Sequence, residues 1–149
     1  ALHDDPKTVE LFGALKNVFA LYIGYLEGRW YEFSTIGYHF CELYKAVQIL
    51  IEALWGHIPL AFEHYALWGD IIATCFGKSR NRYLGNLVGN GKTVSEALEI
   101  LKSEKKHSEW YETLKGISLF LEKYPELHMP ELWKVREIFL SVDISQKSV

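Results

Sequence analysis

The chain has 149 residues, of which 49% are hydrophobic, 23% charged and 15% aromatic, with a net charge of −3. This is the size of one domain with a real core, too apolar for disorder, and its acidic balance argues against a basic face that reads nucleic acid. Cys41 and Cys75 set no disulfide framework and no metal-ligand spacing, no run reaches the ~18 apolar residues that cross a bilayer, and the first ten residues are too polar for a secretory signal, so a soluble cytoplasmic domain is expected.

In chain order, apolar residues at three- and four-residue spacing predict a first helix over about Lys7–Leu26, with Phe12, Leu15, Phe19, Tyr22, Ile23 and Leu26 on one face and Gly28 as its stop. A second helix follows over about Thr35–Trp55, with Phe40, Leu43, Tyr44, Val47, Leu50, Ile51 and Leu54 on its apolar face, and stops at Gly56. Pro59 suits the first turn of a third helix reaching Phe76. After the break Gly77-Lys78-Ser79, a short helix covers Arg80–Leu87, and Gly89-Asn90-Gly91 forms a turn. Thr93 and Glu96 have the spacing of a capping box, which opens a helix through Leu101. Two more helices cover about Ser108–Lys123 and Pro130–Leu140, with Trp110, Tyr111, Phe120 and Trp133 as core or interface aromatics. The expected class is all-α, a single domain over residues 1–142 with a polar tail over 143–149.

Short β-branched runs alternating with helices are absent, as is a G-x-G-x-x-G after a strand, so any cofactor chemistry needs another domain to hold the cofactor. Residues 86–93 imitate the phosphate-loop pattern, but position 86 is Asn and the segment follows a helix instead of a strand. The histidines are scattered without metal-ligand spacing, and no Ser or Cys stands in a nucleophile-elbow context.

Three features do not fit a bland helical domain. Lys16 falls inside the apolar face of the first helix, which fits either a desolvated lysine of lowered pKa or one whose stem lies on the core while its head reaches water. Asn17 beside it fits a surface amide equally well. Asp70 interrupts the apolar run Leu67–Cys75 and shares a helix face with Thr74, which suggests a polar pocket or a buried, capped carboxylate. A Lys16–Asp70 pair would answer both desolvation problems. Finally, Gly77-Lys78-Ser79-Arg80-Asn81-Arg82 sets three cations at a helix N-terminus, which reads as an anion site or as a solvated basic turn.

These features stand in a recognisable order. Val9-Glu10-Leu11-Phe12-Gly13-Ala14-Leu15-Lys16-Asn17-Val18-Phe19-Ala20 resembles the E-x-x-G-A-x-K-N-x-x-A helix of NAD(P)-dependent glycerol-3-phosphate dehydrogenases. Trp68-Gly69-Asp70-Ile71-Ile72-Ala73-Thr74-Cys75, then Ser79-Arg80-Asn81-Arg82, is similar to that family's G-D-L-x-x-T-C … S-R-N stretch, and Gly89-Asn90-Gly91-Lys92-Thr93 to its G-x-G-K turn. The resemblance covers about Val9–Thr113 and, more weakly, the remainder of the chain.

It implies an all-α C-terminal domain of the 6-phosphogluconate dehydrogenase C-terminal-like type, which completes the substrate site of an enzyme whose N-terminal Rossmann domain binds NAD or NADP. By resemblance, Lys16 is the general acid/base at the carbon-2 oxygen of dihydroxyacetone phosphate or glycerol 3-phosphate, and Asp70 orients it. Asn17 and Thr74 line the site, Ser79, Arg80 and Asn81 bind the substrate and its phosphate, and Arg80 and Glu109 approach the cofactor. The implied partners are a small phosphorylated substrate, the Rossmann domain of the same polypeptide and, in an oligomer, a second copy; neither nucleic acid nor membrane insertion is expected. The implied role is in glycerophospholipid metabolism, and this domain alone would be inactive. The chain departs from the family at Gly28-Arg29-Trp30-Tyr31-Glu32-Phe33, bulky where the family has a Gly-Asp-Asn turn, and in the second helix, which lacks an Arg-Gly pair. Two alternatives stand beside this reading: a related two-domain dehydrogenase with another phosphorylated or hydroxy-acid substrate, and a stand-alone helical module for ligand binding or dimerisation.

Overall fold

The computed structural model describes the backbone of residues 6–103 and 110–147. Among these residues the chain forms seven α-helices and no strand: α1 (Pro6–Gly28), α2 (Phe33–Trp55), α3 (Tyr65–Phe76), α4 (Arg80–Gly89), α5 (Val94–Ser103), α6 (Trp110–Lys123) and α7 (Pro130–Lys147). A 3₁₀ turn at Leu60–Glu63 precedes α3.

Helix α1 is the hub. It packs most extensively on α4, and also against α3, α6 and α2, because its whole predicted stripe, Phe12, Leu15, Phe19, Tyr22, Ile23 and Leu26, is buried. Burying each such side chain is worth about 1.5–3 kcal/mol, so this helix dominates the core. Beside it, Phe12, Phe19, Tyr44, Phe62 and Trp68 form an aromatic cluster that joins α1, α2, the 3₁₀ turn and α3. On α2 Leu43, Val47, Leu50 and Ile51 of the predicted face are buried, Phe40 and Tyr44 are half-buried against the core, and Leu54 is exposed near the helix end.

Helices α1 and α4 meet backbone to backbone. Gly24 and Gly28 on α1 face Gly85 and Gly89 on α4, and a Cβ at any of the four would collide with a main-chain carbonyl oxygen: Arg82, Asn86, Leu21 or Tyr25 respectively. Only glycines at i and i+4 on both helices permit so close a crossing. Gly28 is therefore a packing residue. The turn that ends α1 is made by Trp30, which takes a left-handed φ of 64. The Tyr31 N–H donates to the Leu26 carbonyl and the Trp30 N–H to that of Glu27, the pairing of a Schellman motif with Trp where Gly is usual.

Other boundaries differ from the periodicity in explicable ways. The helix expected from Pro59 to Phe76 is split, because the His64 ring nitrogen accepts the Ala66 N–H and caps a new start at Tyr65. Helix α2 opens at Phe33, earlier than Thr35, and α4 runs past Leu87 to include Gly89. Helix α7 continues past Leu140 to Lys147, with no Gly or Pro to stop it. The capping box forms as expected: the Glu96 N–H donates to Thr93 Oγ1 at 3.1 Å, and the Thr93 N–H to Glu96 Oε2 at 3.0 Å.

A buried polar network ties α1, α2 and α7 together. Glu131 is only 3% exposed, and it accepts from Tyr22 Oη at 2.6 Å and Lys134 Nζ at 3.1 Å, with His39 Nδ1 3.1 Å away. Burial alone would raise its pKa, but the bonds from Tyr22 and Lys134 and the nearby His39 outweigh it and hold the carboxyl below its ordinary value. Burial, then Glu131, push the Tyr22 phenol strongly up.

Candidate functional site

The α3–α4 junction shapes the site. Gly77 leaves α3 with its N–H on the Ala73 carbonyl, and a side chain there would strike that oxygen. Ser79 then caps α4, its Oγ accepting the Arg82 N–H at 3.3 Å. The helix therefore starts at Arg80, with its free N–H groups and positive dipole end beside the side chains of residues 78–81.

That start faces α1 across an open cleft of about 340 Å³, lined by Lys16, Asn17, Thr74, Ser79, Arg80 and Asn81 among others. Lys16 Nζ donates to Asp70 Oδ2 at 3.0 Å, the pairing the sequence suggested. Of the two readings of Lys16 the one with its head in water holds, its side chain being 33% exposed, whereas Asp70, expected in a mostly buried run, is 58% exposed. Lys16 thus carries its head to the rim of the apolar face, and Asp70 lies on the open side of α3, where Ile72 and Phe76 are exposed too. The apolar run packs on one side alone, through Leu67, Trp68, Ile71 and Cys75. Thr74 Oγ1 donates to the Asp70 carbonyl at 2.8 Å, so this hydroxyl offers the cleft an acceptor. Asn81, buried, donates from Nδ2 to Asn17 Oδ1 at 3.0 Å and fastens α4 to α1 at the floor.

The three cations read together in the sequence separate. Arg80 and Lys78 are exposed, with no hydrogen bond or ion pair among the described residues. Arg82 turns away and makes a two-pronged pair with Glu27, Nε to Oε2 and Nη2 to Oε1, both at 2.9 Å. Spacing along the chain gave no signal for this pair, nor for the Tyr22–Glu131 contact. Behind the α3–α4 junction lies a second cavity of about 480 Å³, lined by Glu27, Arg80, Arg82 and Tyr83 among others. Glu109 lies outside the described residues.

The cleft thus joins an ammonium beside a carboxylate, able to exchange a proton with a bound oxygen, to an exposed guanidinium and a helix N-terminus suited to an anion. No helix among the described residues is long and apolar enough to cross a membrane.

Residues 5–145 match the family model of the NAD-dependent glycerol-3-phosphate dehydrogenase C-terminus. A glycerol-3-phosphate dehydrogenase [NAD(P)+] of Thermoanaerobacter sp. (strain X514) is 38% identical over 66% of this chain and 30% of its own length. One from Clostridium botulinum (strain Eklund 17B / Type B) is 32% identical over 92% of this chain and 47% of its own. The chain thus spans less than half the length of these relatives. The solved glycerol-3-phosphate dehydrogenase of Coxiella burnetii superposes with a TM-score of 0.76 over 89% of this chain and 40% of that one, at 23% identity, a likeness of fold.

Proposed function

The chain belongs to the NAD-dependent glycerol-3-phosphate dehydrogenase C-terminal family, and from that premise we propose that it forms the substrate half of an enzyme that interconverts dihydroxyacetone phosphate and sn-glycerol 3-phosphate. The observation that carries this reading is the Lys16–Asp70 pair, on the rim of the same cleft as the exposed Arg80 and the start of α4. The two ends of a phosphorylated ketone or alcohol match these two ends of the cleft.

NAD or NADP, which a Rossmann domain outside this chain would mainly hold, would supply or accept the hydride. In the reductive direction the Lys16 ammonium gives a proton to the carbon-2 oxygen as negative charge builds there, and in the oxidative direction the amine takes it back. Asp70, 3.0 Å from Nζ, orients the ammonium. Arg80 holds the phosphate with Asn81, Ser79 and the amides of the α4 start, while Asn17 and Thr74 line the space between. By the resemblance, Arg80 and Glu109 would also approach the bound dinucleotide. The cleft is open to solvent, and the exposure of Lys16, Asp70 and Arg80 suits a second domain that closes over it and excludes water. The role is cytoplasmic, in glycerophospholipid metabolism.

The test is loss of NAD(P)H absorbance with dihydroxyacetone phosphate, using the whole polypeptide in which this chain is encoded. Turnover is expected. A folded protein that binds NAD(P)H and leaves dihydroxyacetone phosphate untouched contradicts the proposal.

A further inference from the structure

The walls of the cleft come from elements far apart in sequence: Lys16 and Asn17 on α1, and residues 78–81 at the start of α4. One residue grips every piece of that junction. Arg82 Nε and Nη2 donate to the two oxygens of Glu27 on α1, both at 2.9 Å, and Nη1 donates to the Gly77 carbonyl, also at 2.9 Å. Its own N–H is held by the Ser79 hydroxyl at 3.3 Å, and its carbonyl sits against Gly24, where the helices touch. Arg82 therefore fixes the residue that leaves α3, the cap of α4 and the facing helix at once.

Behind the segment from Gly77 to Arg80 lies the cavity of about 480 Å³, so packed side chains do not prop it from that side. Arg80 makes no bond of its own among the described residues, so the backbone that carries it sets where its guanidinium points. We infer that the Arg82–Glu27 pair is a positioning device, which holds Arg80 and Asn81 against Lys16 and Asn17 and so sets the affinity for the phosphate end of the substrate. The inference rests on the proposed reading of the cleft. The planar fork matters: it spans two carboxylate oxygens and a carbonyl in fixed directions, which a lysine ammonium at the same position cannot do. The pair also satisfies the Arg82 charge, which leaves Arg80 and Lys78 to meet the anion.

The experiment uses Arg82→Lys and Glu27→Gln in the whole polypeptide, with folding checked by circular dichroism. For each, kcat and KM are measured with dihydroxyacetone phosphate, and the Kd of glycerol 3-phosphate by calorimetry. Expected are rises of about 10-fold or more in KM and Kd with kcat within about threefold of the parent, the pattern of lost binding energy that is shared by ground and transition states. A purely supportive ion pair would lower the folded fraction and leave KM alone. A KM within twofold of the parent in a folded variant, or a kcat that falls in step with kcat/KM, overturns the inference, as does loss of the folded state in both variants, which would assign the pair to the fold. A parent protein that binds no glycerol 3-phosphate overturns the reading of the cleft and this inference with it. A parent that binds it, alongside variants that bind equally well, overturns the inference alone.

Discussion

Replacing Gly85 by Ala places a Cβ on the Leu21 carbonyl oxygen, well inside contact distance, with the Tyr25 backbone nitrogen close behind. Both obstacles are main chain in the middle of α1, so no rotamer relieves the clash and the helices must separate by roughly an ångström. A gap of about 0.5–1 Å already forfeits a quarter to a half of the dispersion attraction across the interface, and overpacking of this kind costs about 1–3 kcal/mol. Ala is the better helix former by about 1 kcal/mol, which offsets part of the loss. The net expectation is a destabilisation of about 1–2 kcal/mol, or a fall in Tm of about 2–8 °C for a domain of this size. The control is Gly37→Ala on α2, where a Cβ meets nothing within 4 Å; there the propensity term acts alone and Tm should rise slightly. Thermal unfolding followed by far-ultraviolet circular dichroism reads both. If Gly85→Ala were as stable as Gly37→Ala, the close-crossing account of α1 and α4 would be wrong.

Three further outcomes follow from particular residues. Glu131→Gln removes a buried charge that accepts bonds from Tyr22 and Lys134, and should cost about 1–3 kcal/mol in urea unfolding at neutral pH. Because the folded carboxyl titrates below its ordinary 4.5, its contribution is complete above that pH and fades as pH falls through the lower folded value; a gap between variant and parent that stays constant under acid would refute this. Trp30→Gly should raise stability by about 1 kcal/mol, since the left-handed φ strains a side chain that is 84% exposed and buries little; a drop in Tm would show that Trp30 carries packing of its own. Burial lifts the Cys75 thiol to about 12 while Cys41 is exposed, so labelling with a thiol reagent at pH 8, mapped by mass spectrometry, should show Cys41 reacting fast and Cys75 protected.

Much of the fold was legible because it depends on local chemistry. The stripe from Phe12 to Leu26, the capping box at Thr93 and Glu96, and the stop at Gly56 all appear where the pattern puts them. The misplaced features were decided by contacts between distant segments. By local pattern Gly28 and Gly89 fit a stop and a turn, yet they belong to a helix crossing that no single helix reveals. Tyr22 falls on an apolar face by its spacing, and its buried hydroxyl is tolerable because Glu131 meets it from α7. His64 interrupted an apparently continuous helix by outcompeting a backbone carbonyl as acceptor for the Ala66 N–H. At the site, the positions that the resemblance picks out for the substrate do converge on one cleft, but the openness of Asp70 is not legible in an apolar run, because such a run does not say which side of the helix has a neighbour.

The most direct test of the central claim compares the parent with Lys16→Ala in the whole polypeptide, measuring kcat for dihydroxyacetone phosphate reduction and the Kd of glycerol 3-phosphate on the same preparations. With Lys16 as proton donor, kcat falls by at least about 100-fold while glycerol 3-phosphate still binds through Arg80 and Asn81. Full turnover with an unchanged pH profile would contradict the account and move the chemistry away from this lysine.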